Sequence, residues 1–143
     1  MHDLGKLYIP DCILNKSEKL TDDEYEIIKT HASIGAKILD RTAYKSISSI
    51  VALHHERIDG LGYVGVKGDS IPIESRIVAV ADTFSAITTE RLYNKKKTIP
   101  EAIEILKEES DKQLDKFLVN CFLKIPIEKL VMIDNMLKSQ YRI

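Results

Sequence analysis

Apolar residues recur at intervals of three and four along most of this chain, and no stretch alternates with period two over a strand's length. Thr21-Asp22-Asp23-Glu24 has the form of a capping box. It opens a predicted helix whose inward stripe is Ile27, His31, Ile34 and Ile38. A second segment, from about Ala43 to His55, carries Ile47, Ile50, Val51 and His54 on one face and ends at the turn residues of IDGLG. From Asp59 to Pro72 the helical period is lost. Gly60, Gly62, Gly65 and Gly68 there predict a loop that can adopt positive φ or let a ligand approach the backbone. Pro72 suits the first turn of a helix to about Thr89, with Ile73, Ile77, Val80, Phe84 and Ile87 as its stripe. After the basic turn NKKK, Pro100-Glu101 starts a helix to about Glu109. Two short amphipathic helices follow, from about Leu114 to Leu123 and from Pro126 to Leu137. The predicted class is all-α, without internal repeats.

At 143 residues, with 44% hydrophobic and 30% charged side chains, the chain has the size and composition of one domain with a real core. A net charge of −1 argues against a grip on nucleic acid by bulk electrostatics, but leaves room for a small anion held by a few local cations. Cys12 and Cys121 are too few and too distant for a disulfide framework and read as reduced thiols, the expectation for a cytoplasmic protein. No apolar run approaches a membrane span, and MHDLGK lacks the apolar core of a signal peptide.

The chemistry concentrates in the chain's four histidines: His2 beside Asp3, His31 in KTHASIG, and the pair His54-His55. Asp82 lies within the apolar run IVAVADTF. Imidazole and carboxylate together suit first-row divalent ions. Each residue also has a plainer reading. His31 alone could be a satisfied core residue, and the pair could cap a helix C-terminus, where the dipole favours histidine. Two adjacent charged rings would repel, however, and neutral rings sharing a cation would not. Asp82 is costly to bury unless paired or metal-bound; otherwise it sits on the polar edge of its helix. Lys6 could be a solvated lysine, Arg91 a surface ion-pair partner of Glu90, and Tyr63 a packing anchor for the loop.

HDLGK at 2–6, His31, HHERIDGLGY at 54–63, GVKGDSIP at 65–72, RIVAVADTFSA at 76–86, RLY at 91–93 and QLD at 113–115 resemble the successive motifs of the HD-GYP family. That family is a branch of the HD-domain metal-dependent phosphohydrolases, and the resemblance runs from His2 to about Ile125. It implies an HD-domain-like helical bundle with a glycine-rich loop at about 59–71. The domain would span 1–125, with 126–143 as a C-terminal helix and tail. It further implies hydrolysis of cyclic di-GMP with two or three divalent ions, iron or manganese. Carried over, the ligands are His2, Asp3, His31, His54, His55 and Asp82, with Asp3 bridging two ions and central to catalysis. Lys6 would contact a phosphate oxygen, Arg91 a second phosphate or a guanine edge, and Tyr63 would shape the pocket.

The chain departs from the family pattern in three places. It begins at the HD pair, where the family has earlier helices that supply core surface and a further ligand. Gly62-Tyr63-Val64 replaces the GYP triplet, in a loop that reads one residue shorter before Gly65. Ser85 stands where aspartate is common, and RLYN replaces RPY followed by a basic residue. A catalytically degenerate module with a binding or regulatory role, or a hydrolase of another nucleotide, are the alternative readings. Homo-oligomerisation, or a missing segment supplied from elsewhere, is the corresponding expectation for partners.

Overall fold

The computed structural model describes residues 1–89 and 96–140, without the side chains of 134 and 137–140. Among the described residues there are seven α-helices and no strand. They are α1 (Asp11–Leu14), α2 (Asp22–Leu39), α3 (Ser48–Ala52), α4 (Ile73–Thr88), α5 (Ile99–Glu108), α6 (Lys116–Phe122) and α7 (Ile127–Gln140). Short 3-10 turns occupy Leu4–Tyr8, Lys45–Ile47 and Gly68–Ser70. No helix among them is long and apolar enough to cross a membrane.

The capping box at the start of α2 forms as the sequence predicts. Thr21 Oγ1 accepts from the Glu24 backbone N–H at 3.2 Å, and the Glu24 carboxylate accepts from the Thr21 N–H at 2.8 Å. Thr98 and Glu101 repeat the motif at α5, and the Asp115 carboxylate caps α6 by accepting from the N–H groups of Phe117 and Leu118. Satisfying these otherwise orphaned donors sets where each helix begins.

The stripe of α2 is rotated from the expected one. Ala32, Gly35, Ala36 and Leu39 are buried together with His31, while Ile27 is exposed. Small residues occupy the centre of this face because the turn at Leu4–Tyr8 lies against it. A Cβ on Gly5 would come within 1.9 Å of the His31 carbonyl oxygen, and one on Gly35 within 3.2 Å of the Gly5 nitrogen. Two glycines therefore set how closely the HD pair approaches the helix that carries His31.

The segment expected as one helix over 43–55 is shorter. A 3-10 turn leads into α3, which ends at Ala52, so His54 and His55 lie in the turn beyond it. In α4 the expected stripe is only half correct. Val80 is buried and Phe84 packs in the core, but Ile73 and Ile77 are about half exposed. Their places inside are taken by Ser75 and Thr88, whose hydroxyls donate to the carbonyls of Ile50 and Phe84. Once its hydroxyl is bonded, a small polar side chain can occupy a core position.

Two packing regions result. Ile9, Ala32, Ala36, Leu39, Val51 and Ile71 are buried around α2 and α3. Val80, Leu106, Leu114 and Val119 form a second cluster between α4, α5 and α6, joined by the Phe84–Phe122 ring pair at 5.0 Å. Arg76, whose guanidinium donates to Asp115 at 2.7 Å, links α4 to the start of α6.

Leu7 is 80% exposed, Tyr8 67%, and Ile127, Val131, Met132 and Ile133 of α7 are also exposed. Exposed apolar surface of this extent favours association. Light scattering is expected to give an apparent mass that rises with concentration; a constant monomer mass up to high concentration would contradict it.

Candidate metal centre

The turn at Leu4–Tyr8, helix α2 and the turn after α3 bring Asp3, His31, His54 and His55 to one place. One ligand atom from each lies within 4.8 Å of all the others. That span is close to the diameter, about 4 Å, of a transition metal's first coordination sphere. His31 and His54 are each 1% exposed.

Hydrogen bonding fixes the state of both buried rings. Nδ1 of His31 lies 2.6 Å from the Ile28 carbonyl oxygen, and Nδ1 of His54 lies 2.7 Å from that of Val51. A carbonyl only accepts, so each Nδ1 carries the proton and each Nε2 presents a lone pair. Both Nε2 atoms are buried and make no hydrogen bond. His31 Nε2 moreover faces Asp3 Oδ1 at 3.4 Å. A lone pair opposite a carboxylate oxygen is unfavourable until a cation lies between them. Two orphaned imidazole nitrogens and a carboxylate aimed at one point are the donor set that a divalent ion fits, and the carbonyl bonds are the outer partners that orient metal-bound histidines.

The electrostatics agree. Burial pushes the His31 and His54 rings below the ordinary imidazole range, although the carbonyl bonds oppose it. Burial, with the neighbouring His54 and His31, takes His55 down to about 3. All three are therefore neutral at pH 7, the form that binds metal. Burial pushes the Asp3 carboxyl up, but chiefly the hydrogen bond and charge of Lys6 outweigh it and hold Asp3 below its usual range.

His2 and Asp82 adjoin this cluster without joining its tight set. His2 Nε2 lies 3.5 Å from Asp3 Oδ2 and 3.7 Å from Asp82 Oδ1, and its ring centroid is 5.1 Å from that of His54. Asp82 is half-buried, its side chain 28% exposed, between the two readings of it as a buried acid and as an acid on the polar edge of its helix. Lys6 Nζ donates to Asp3 Oδ2 at 2.8 Å, so it reaches the site already paired. The Tyr63 ring lies over His55 with centroids 4.6 Å apart and planes 31° from parallel. Arg91 lies outside the described residues.

Glu56 was not singled out by the sequence reading, and it organises the loop. Its side chain is 4% exposed, and its carboxylate accepts from the backbone N–H groups of Val64, Gly65 and Val66 at 2.7, 2.9 and 2.7 Å. Gly62 lets the chain pass, because a Cβ there would lie 2.6 Å from the Glu56 Cα. Gly60, Gly65 and Gly68 adopt positive φ as the loop reading requires. The available signal was an acid directly after two histidines and before a glycine-rich run. Hydrogen bonds to a charged group contribute about 1.5–3 kcal/mol each, and Glu56→Ala removes three of them from the loop. Glu56→Ala is therefore expected to lower the melting temperature by 10 °C or more, at roughly 2–8 °C per kcal/mol, with Glu56→Gln intermediate. A melt within 2 °C of wild type, about the shift from 1 kcal/mol or less, would contradict that role.

Comparison with known proteins decides what kind of domain surrounds this cluster. The HD domain family matches residues 1–118. The chain is 42% identical over 132 residues to a cyclic di-GMP phosphodiesterase of Thermotoga maritima, covering 90% of this chain and 36% of that protein. It is 40% identical over 128 residues to the cyclic di-GMP phosphodiesterase response regulator RpfG of Xanthomonas campestris, covering 87% of this chain and 34% of RpfG. This chain belongs to the HD-domain family, in its HD-GYP branch. A third HD relative, the 3'3'-cGAMP-specific phosphodiesterase 2 of Vibrio cholerae, is 38% identical over 128 residues, or 87% of this chain and 24% of that protein. The chain thus spans about a quarter to a third of the length of these relatives. An HD domain implies divalent-metal binding, and Asp3, His31, His54 and His55 are the cluster suited to it.

Proposed function

We propose that this HD-GYP chain is a metal-dependent phosphodiesterase that hydrolyses a 3′–5′ phosphodiester of cyclic di-GMP. The observation that carries the reading is the pair of buried, unbonded Nε2 atoms of His31 and His54, the former facing Asp3 at 3.4 Å and both residues within the four-residue cluster. The relatives named as cyclic di-GMP phosphodiesterases support the substrate.

His31, His54, His55 and Asp3 would hold the metal, with His2 and Asp82 completing a second position beside it and Asp3 shared between the two. Two ions, iron or manganese, match the mixed imidazole and carboxylate donors. When bound, such ions lower the pKa of a water and offset charge on the phosphoryl oxygens. The chain's own residues do the rest. The carbonyls of Ile28 and Val51 hold two rings in the metal-binding tautomer. Lys6, tethered by Asp3, places an ammonium one turn along, where it can turn to a phosphate oxygen and stabilise charge as it develops. Tyr63 covers His55 and limits water on that side, while Glu56 keeps the loop that carries Tyr63 in place. Residues 1–125 make up the working domain in this reading, with 126–143 as an appended helix and tail.

The test is product analysis after anaerobic loading with manganese or iron. Linear dinucleotide or GMP formed from cyclic di-GMP, and abolished by a chelator, is the expected result. A metal-loaded chain that binds cyclic di-GMP and leaves it intact would remove the hydrolytic reading in favour of a sensor.

A further inference from the structure

Resting on that reading, we propose that Tyr25 and Lys29 of α2 form a subsite for a guanine base of the substrate, opening into the groove between α1 and α2. Tyr25 is an aromatic ring left 48% exposed beside the metal cluster. It stands edge-on to Tyr63, with centroids 6.4 Å apart and planes at 87°, and Tyr63 lies on His55. A contiguous run of rings thus leads from a metal-facing imidazole to the surface. Two perpendicular rings form a corner in which a planar base stacks on one face and meets the edge of the other, the arrangement aromatic quadrupoles prefer.

Lys29 supplies the polar contact. It lies one helical turn after Tyr25, with Nζ 5.9 Å from the Tyr25 centroid and 5.6 Å from that of Tyr63. An ammonium has three donors and no acceptor. It therefore suits the O6 and N7 acceptors of guanine and meets the N6 amino group of adenine poorly. Its ion pair with Glu26 at 2.8 Å is a surface contact, Glu26 being 67% exposed, and such pairs hold a lysine only weakly. Beyond Tyr25 an open groove of about 640 Å³ is lined by the apolar Ile13, Leu14, Leu20 and Ile28 and also by charged residues such as Lys16 and Asp22. That volume lies within the range of small-molecule pockets. Continuity with the metal cluster through Tyr63, together with a cation poised over both rings, points to a guanine as the occupant.

The test uses the metal-loaded full chain with cyclic di-GMP, cyclic di-AMP and methyl p-nitrophenyl phosphate, which lacks a nucleobase. Tyr25→Ala is expected to raise KM for cyclic di-GMP about tenfold, the scale of one lost base–aromatic stack. Its effect on the small ester should be far smaller. Lys29→Ala should reduce the preference for cyclic di-GMP over cyclic di-AMP about tenfold, the scale of one base-edge contact. Equal losses on all three substrates, or an unchanged KM and base preference, would overturn the subsite. If wild type cleaves no substrate, titration with cyclic di-GMP decides. Binding lost in Tyr25→Ala keeps the subsite and removes the hydrolytic reading, whereas equal binding by both proteins, or none by wild type, overturns the subsite.

Discussion

Replacing Asp3 with alanine is expected to lower kcat/KM for cyclic di-GMP by more than about a hundredfold and to strip metal from the protein. Loss of an outer partner of a metal ligand already costs about 10–100-fold in affinity or activity, and Asp3 lies closer in. Its carboxylate touches three groups at once: Lys6 at 2.8 Å, His31 at 3.4 Å and His2 at 3.5 Å. Without it, two buried imidazole nitrogens keep their lone pairs but lose the negative charge that draws a cation to them. Lys6 is then left as an uncompensated positive charge beside the site. Asp3→Asn preserves shape and removes charge, so it should fail nearly as completely. Bound metal measured after gel filtration, alongside activity, separates this from misfolding. Asp3→Ala that retains metal and activity within about threefold of wild type would remove Asp3 from the centre.

The second large effect is expected at a residue that touches neither metal nor substrate. Gly5→Ala would place a methyl 1.9 Å from the His31 carbonyl oxygen and 2.8 Å from the Gly35 nitrogen, both backbone atoms of α2. No rotamer change can relieve such an overlap, so the turn carrying His2 and Asp3 must lift away from the helix carrying His31. Overpacking a close contact costs about 1–3 kcal/mol, occasionally more. A melting temperature lower by about 5–15 °C should follow, accompanied by loss of metal binding. Calorimetry and a metal titration on the same preparation read both, and an alanine variant that melts and binds metal like wild type would show that the approach is looser than described.

Much of this centre was legible in the sequence because helix periodicity is a local property. The capping box at Thr21 fixed the start of α2 well enough to turn His31 inward, and two adjacent histidines before a glycine run marked the other wall. What the pattern could not carry was the distance between elements. Gly5 reads as a permissive residue in a short motif, and only the arrival of a helix backbone beside it makes its missing side chain necessary. Glu56 likewise reads as one more acid on a charged chain until the loop folds back to present three N–H groups to it. At Ile73 and Ile77 the period was correct but the inward face was assigned by hydrophobicity, whereas the core accepted Ser75 and Thr88 with their hydroxyls bonded.

The most direct test of the account is a cobalt(II) titration of protein labelled with nitrogen-15 in its histidines, followed by NMR. Cobalt is paramagnetic and suits the same imidazole and carboxylate donors. The Nε2 signals of His31 and His54 are expected to be displaced or lost first and together, saturating at a defined stoichiometry, with both Nδ1 atoms remaining protonated against Ile28 and Val51. Cobalt that perturbs only the more exposed His2, leaving the two buried Nε2 resonances untouched at saturation, would contradict it.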